Sequence, residues 1–209
     1  MRPLCCLSDA SAVIIIDASA AINLNATGCA SKILAHLPNT VIIPEIVLEE
    51  LKRGASRGRG DGMQTQQLID EGLLKCEPLS DAGLAHFEHL VVGAAVDTLD
   101  DGEAATIAHA IEQNGVALID ERKAVRICGE RFPSLQLGAT VDIFTHPDIQ
   151  SGLGKNLLQA AVVRALTVAR MRVLPDHQQW IVDLIGIDRA KNCLSLPRSI
   201  RTSTRSAVA

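Results

Sequence analysis

Two kinds of apolar pattern alternate along this chain. Short unbroken runs at residues 13–16, 41–43 and 116–119 are rich in β-branched side chains, the pattern of strands buried on both faces of a parallel sheet. Between them the apolar residues fall at helical spacing. One helix is expected from about Ser19. A second spans residues 31–37, with Ile33, Leu34 and Leu37 on one face, and Pro38-Asn39 breaks it. Pro44 suits the first turn of a third, where a missing N–H costs nothing, and Ile46, Val47 and Leu51 give that helix an apolar face. The run GASRGRGDG at residues 54–62 is a glycine-rich, basic loop ahead of a helix at residues 63–71. Residues 73–76 and 135–137 carry weaker strand patterns. Ser80-Asp81 starts an amphipathic helix bearing Leu84, Phe87, Leu90 and Val91. Asp100 or Asp101 caps a helix that runs to Gln113 and closes at Asn114-Gly115. A helix over residues 121–130 and a helical turn over 140–144 complete an alternating β and α order. The predicted fold class is α/β, in three layers, with a short, mainly parallel sheet flanked by helices.

Beyond Pro147 the pattern changes. GLGKNLLQAAVVRALTVARMRVLPDHQQWIVDLIGI reads as helices broken at Pro175, the second carrying Trp180, Ile181 and Leu184. From Pro197 the chain is rich in Ser, Thr and Arg and reads as a disordered tail. The expected organisation is a main domain at residues 12–147, a helical C-terminal extension at 148–196 and a tail at 197–209.

Composition narrows the function classes. Hydrophobic residues make up 47% of the 209, enough to bury a core in one domain of this length. A net charge of −4 argues against broad electrostatic coating of nucleic acid, though not against a nuclease whose acidic site recruits its own cations. Aromatics are only 2%, so a surface that stacks bases on rings is not expected. The six cysteines form no CxxC pair and no zinc spacing, which suits a reducing compartment. The N-terminus resembles a signal peptide only weakly, because Asp9 interrupts its apolar stretch. No segment approaches the ~20 apolar residues of a membrane span. A soluble, cytoplasmic protein with no membrane association is expected.

The chemistry lies in four carboxylates. Asp17 ends the run at 13–16 and Asp120 ends the run at 116–119. If those runs are neighbouring parallel strands, both side chains emerge at the edge where open α/β sheets place their sites. Glu103 opens an alanine-rich helix and Glu50 lies in the helix after Pro44. Gathered carboxylates repel, and such a cluster is normally tolerated because a hard divalent cation sits in it. Each residue also has a structural reading. Asp17 and Asp120 could be helix caps, Asp100 and Glu103 a capping box, and Glu50 a solvated charge paired with Lys52 or Arg53.

The segments VIIIDASAAINL, IPEIVLEELKRG, LDDGEAATIAHA and LIDERKAVRICG resemble the four acidic motifs of PIN-domain ribonucleases, most nearly the VapC-type toxins of bacterial toxin–antitoxin modules. The resemblance covers roughly residues 13–143 and fades in the extension. It implies a PIN-like fold and metal-dependent hydrolysis of RNA phosphodiester bonds, leaving 5′-phosphate and 3′-hydroxyl ends. Asp17, Glu50, Glu103 and Asp120 would be the catalytic residues and would hold Mg²⁺ or Mn²⁺. The family pattern favours Glu50 over Glu49, Glu103 over Asp100 and Asp101, and Asp120 over Glu121. Ser19 and Glu121 are accessory candidates, and Lys52, Arg53, Arg57 and Arg59 are candidates for gripping RNA. A cognate antitoxin and a homodimer are implied partners, the dimer also suggested by apolar faces at residues 84–91 and 157–166. Two other readings stay open. A phosphatase-type metal hydrolase of the haloacid kind wants a second Asp two residues after the first, where this chain has Ser19. A non-catalytic PIN-like scaffold would bind RNA or protein without cleaving it.

Overall fold

The computed structural model describes residues 7–54 and 60–202. Five strands form one sheet: β1 (Ile14–Ile16), β2 (Val41–Pro44), β3 (Lys75–Glu77), β4 (Val116–Leu118) and β5 (Gln136–Gly138). Their order is β3-β2-β1-β4-β5 and every neighbouring pair is parallel. β1 and β4, both fully buried, lie side by side with Ile14, Ile15 and Ile16 opposite Val116, Ala117 and Leu118.

Side chains alternate across the sheet, so successive residues of one strand feed opposite cores. Ile14 and Ile16 join Val116 and Leu118 on one face; Ile15 joins Ala117 and Ile119 on the other. The second face is closed by α6 (Asp101–Gln113), through Ala104, Ile107 and Ala110, and by α7 (Arg122–Arg131), through Ala124, Ile127 and Cys128. α5 (Asp81–Val91) packs on α6. On the first face lie α1 (Ala18–Ala26), α2 (Ala30–His36), α3 (Glu45–Arg53), α4 (Asp61–Asp70), α8 (Thr140–Thr145) and α9 (Pro147–Thr167). The three-layer α/β prediction holds.

Local differences have local causes. β3 starts at Lys75, because Gly72 turns left-handed (φ +72°) and the amides of Leu73 and Leu74 both donate to Leu68 O, closing α4. β5 starts at Gln136, because Leu135 N donates back to Phe132 O. Past Pro197, expected to be disordered, Arg198–Arg201 forms a short helix, α12. The tail beyond residue 202 lies outside the described residues.

The extension is built into the body. α9 is interrupted at Gly154 (φ +70°) and then presents Leu158, Val162, Ala165 and Leu166 to the same core as Ile14 and Ile16. α10 (Gln178–Ile185) and α11 (Ile187–Lys191) add Ile181, Ile185 and Ala190. The apolar face at 157–166, read as an interface, is therefore spent mostly inside the chain. In the 3₁₀ turn Pro175–His177, His177 Nε2 lies 2.9 Å from Asp142 Oδ1, both side chains buried. Asp142 Oδ2 in turn accepts from Ala139 N at the start of α8. Among the described residues, no helix is long and apolar enough to cross a membrane.

Candidate active site

Asp17 and Asp120 lie beyond the carboxyl ends of β1 and β4, with Glu103 close enough to act on Asp17, while Glu50 reaches Asp100 and Gly102 from α3. Asp17 directly follows β1 and caps α1, its Oδ1 accepting from Ala20 N at 2.7 Å. Among the described residues no hydrogen bond occupies Oδ2. Burial raises this carboxyl well above its ordinary range, and the nearby charges of Asp120, Glu103 and Asp100 raise it further, against the Ala20 bond.

Asp120 lies two residues beyond the Leu118–Gly138 pairing of β4 with β5, and Thr140 lies two residues beyond it on the other chain segment. The register places them together. Thr140 N donates to Asp120 Oδ1 at 2.9 Å, and Thr140 Oγ1 donates to Oδ2 at 2.5 Å. Asn23 Nδ2, from α1, donates to Oδ2 at 2.9 Å and to Thr140 Oγ1 at 3.2 Å. Burial raises the Asp120 carboxyl, and these three bonds hold it back. Asp120 thus caps α8, and not α7 as its position in sequence suggested. α7 begins after Glu121, whose side chain makes no cap bond.

Glu103 lies in the first turn of α6. Asp100 caps that helix, Oδ1 accepting from Glu103 N at 2.9 Å. Among the described residues the Glu103 carboxylate makes no return bond, so only half of the expected capping box forms. Burial, then the charges of Asp100 and Glu121, push Glu103 up to about 7. On α3, Glu49 faces outward, with Lys52 Nζ at 3.1 Å and Arg53 Nε donating to its backbone carbonyl. Glu50 is also exposed, but its carboxylate reaches the start of α6. A Cβ built on Gly102 would lie 2.5 Å from Glu50 Oε2 and 3.9 Å from Asp100 Oδ1, so a side chain at 102 would push the flexible end of Glu50 away from the start of α6. Partial burial raises the Glu50 carboxyl, as does the charge of Asp100, while Arg53 opposes.

Among the accessory candidates, Ser19 is exposed in the first turn of α1. Glu121 is bonded to Arg172 of the extension. Lys52 and Arg53 are exposed at the end of α3. Arg57 and Arg59 lie outside the described residues. Asn23 and Thr140 went unnoticed in the sequence. A strand-end hydroxyl two residues past Gly138 was the available signal, and it needed the β4–β5 pairing to be known.

Among the described residues, no three His, Cys, Asp or Glu side chains stand within reach of one ion as placed. The donor set nevertheless suits a hard divalent cation. It is all oxygen, it leaves Asp17 Oδ2 without a hydrogen bond among the described residues, and the charges of Asp120 and Glu103 help raise Asp17.

Thr140→Val removes one of the two donors to Asp120 Oδ2 and leaves Asn23 short of an acceptor. The expected cost is about 1–3 kcal/mol in urea melts, with Thr140→Ser restoring most of it. An unchanged midpoint would mean the hydroxyl does not hold the carboxylate.

An all-parallel α/β domain with acidic side chains gathered beyond its strand ends has the layout of α/β proteins that bind ligands at the carboxyl edge of the sheet. A family model described as a PIN domain matches residues 13–133, more than half of the chain, and the chain belongs to the PIN-domain family. No curated protein and no solved structure matches it. PIN domains are generally nucleases, which use divalent metal ions and bind RNA.

Proposed function

We propose that this protein is a Mg²⁺- or Mn²⁺-dependent endoribonuclease, with Asp17, Glu50, Glu103 and Asp120 as its catalytic and metal-holding residues. One observation carries the reading. Asp17 and Asp120 lie just past the ends of two adjacent central strands, Glu103 acts electrostatically on Asp17, and all four carboxylates are raised. Bound there, the cation would supply positive charge for the phosphodiester oxygens and activation of water. The residues supply a preset frame. Asp17 is fixed by the α1 amide and Asp120 by Thr140 and Asn23, so neither must reorganise when substrate arrives. Glu50 and Glu103, on helix side chains, complete the set by rotamer changes.

The finer role we assign is that of the toxin of a type II toxin–antitoxin pair, of the VapC type, held inactive by a cognate antitoxin and acting as a cytoplasmic homodimer. Leu84, Val92 and Val96, exposed on and just after α5, support a partner surface. Lys52 and Arg53 stand on the same helix as Glu50, in reach of a phosphate backbone leaving the site.

A scaffold without catalysis is favoured by one feature. Asp17, Asp100 and Asp120 all have structural work as helix caps. The test is cleavage of an end-labelled single-stranded RNA with Mn²⁺ or Mg²⁺ and with chelator. Cleavage that needs the metal and leaves 5′-phosphate ends is expected. Glu50→Gln should lose it and Glu49→Gln, on the solvent side of the same turn, should keep it. Equal activity of the two variants would remove Glu50 from the site. No metal-dependent cleavage by the wild type would favour the scaffold.

A further inference from the structure

The extension lies outside the residues matched by the family model, yet it walls a cleft that reaches Asp120. A cleft of about 390 Å³ opens beside Asp120. Arg122 lines it from the main domain. Arg172, Gln178 and Ser195 line it from the extension, with Val173, Leu174, Leu196 and Pro197.

Arg172 is held in place by its neighbours. Met171 and Val173 on either side are buried, and Met171 N donates to Ala165 O at 3.0 Å. The Arg172 side chain is 61% exposed and bonded through Nη1 to Glu121, whose charge acts on Glu103. One guanidinium nitrogen thus sits beside the carboxylates, while among the described residues Nε and Nη2 have no other acceptor. Arg122 is exposed and forms no bond among the described residues. Two guanidinium groups lining one cleft suit a phosphodiester chain, which accepts forked donors at each phosphate.

Charge along the sequence agrees. Residues 1–148 carry eleven Lys and Arg against twenty-one Asp and Glu, whereas residues 149–209 carry nine against three. An acidic body alone would repel a polyanion. The basic extension supplies the attraction beside the site that needs it.

We propose that this cleft is the RNA-backbone subsite, in which Arg172 and Arg122 position consecutive phosphates of a single strand next to Asp120. The proposal rests on the nuclease reading above. Arg172 is a positioning residue, and the lining carries no aromatic ring, so the grip is on the backbone and tolerant of base sequence.

The test is fluorescence anisotropy of a labelled single-stranded RNA with the full-length protein in chelator, over a range of salt concentrations. Each phosphate contact to a single strand contributes about 0.7 to the slope of log K against log salt. Replacing both arginines (Arg122→Gln with Arg172→Gln) should flatten the slope by about 1.4. Arg172→Lys should keep the wild-type slope, which separates lost charge from lost packing against Glu121. Lys155→Gln with Arg189→Gln removes the same charge elsewhere on the extension and should leave the slope unchanged. A double arginine variant with the wild-type slope overturns the proposal. So does a control pair that flattens the slope equally. Polyglutamate that displaces the RNA as well as unlabelled RNA does, charge for charge, would assign the cleft to an acidic protein and also overturn it. Metal-dependent cleavage is measured in parallel. A wild type that cleaves, with an unmoved slope in the double variant, defeats only the subsite. A wild type that neither binds nor cleaves RNA defeats both readings.

Discussion

Asp17→Asn is expected to abolish metal-dependent RNA cleavage while leaving the fold intact. Asn keeps an acceptor oxygen for Ala20 N, so the α1 cap survives. What disappears is a buried negative charge at the strand end, and with it an oxygen left free for a cation. Disturbing even a partner of a metal ligand costs about 10–100-fold, so loss of a ligand should cost at least about 100-fold in cleavage. Asp120→Asn should lose cleavage as well, but it is not equivalent. Asp120 accepts three hydrogen bonds at its two oxygens. An amide offers one acceptor oxygen, so at least one donor from Thr140 or Asn23 would face an NH₂ group. That costs about 1–3 kcal/mol and makes Asp120→Asn the less stable variant. Calorimetric titration with Mn²⁺, thermal melting and RNA cleavage on both variants decide the matter. Wild-type metal affinity and cleavage in Asp17→Asn would reduce that residue to a helix cap and sink the nuclease assignment.

Without metal, the protein should be more stable at pH 5 than at pH 8. Asp17, Glu50, Glu103 and Asp120 are all raised above the ordinary carboxylate range, Glu103 to about 7. The folded chain therefore holds protons that the unfolded chain has released. Stability from these groups is fully present below the ordinary carboxylate values and is lost as pH climbs through the raised ones. His177 acts in the same direction. Burial lowers its proton affinity, but the bond to Asp142 and that residue's charge outweigh burial, and the net shift is upward. Its contribution is present below the ordinary histidine value and is lost as pH rises past the raised one. Melting temperatures in chelator should fall from pH 5 to pH 8. Added Mn²⁺ at pH 7 should recover much of the loss by binding the folded form alone. Asp17→Asn should flatten the pH dependence and remove the metal response, whereas His177→Gln should flatten only the former. A melting temperature that rises with pH, in chelator, would contradict the raised carboxylates.

The strand-end aspartates were legible because a buried parallel strand is a continuous apolar run, and its end marks the sheet edge. The sequence alone pairs Asp17 with Asp120 once the runs at 13–16 and 116–119 are taken as neighbouring strands. The choice of Glu50 over Glu49 followed from the family pattern alone; in the fold Glu50 Oε2 lies beside Gly102 and Glu49 pairs with Lys52. Thr140 and Asn23 were not legible, because their role depends on the register of β4 with β5 and on the angle of α1. Burial in the extension was illegible for a related reason. An apolar helical face at residues 157–166 has the same sequence whether it meets another molecule or its own sheet. Only the tertiary arrangement distinguishes the two.

His177, docked on Asp142, has a consequence for where this protein can be cut. Asp142 supports the start of α8, and Thr140 at that start holds Asp120. A fragment ending at residue 133, where the family model stops, would lose β5, Thr140 and every extension residue that shares a core with Ile14 and Ile16. The portion that carries the family's signature would be left with one face of its sheet stripped and Asp120 without its main tether. Swapping this segment into another framework, or trimming the chain for expression, would therefore have to carry the terminal helices along.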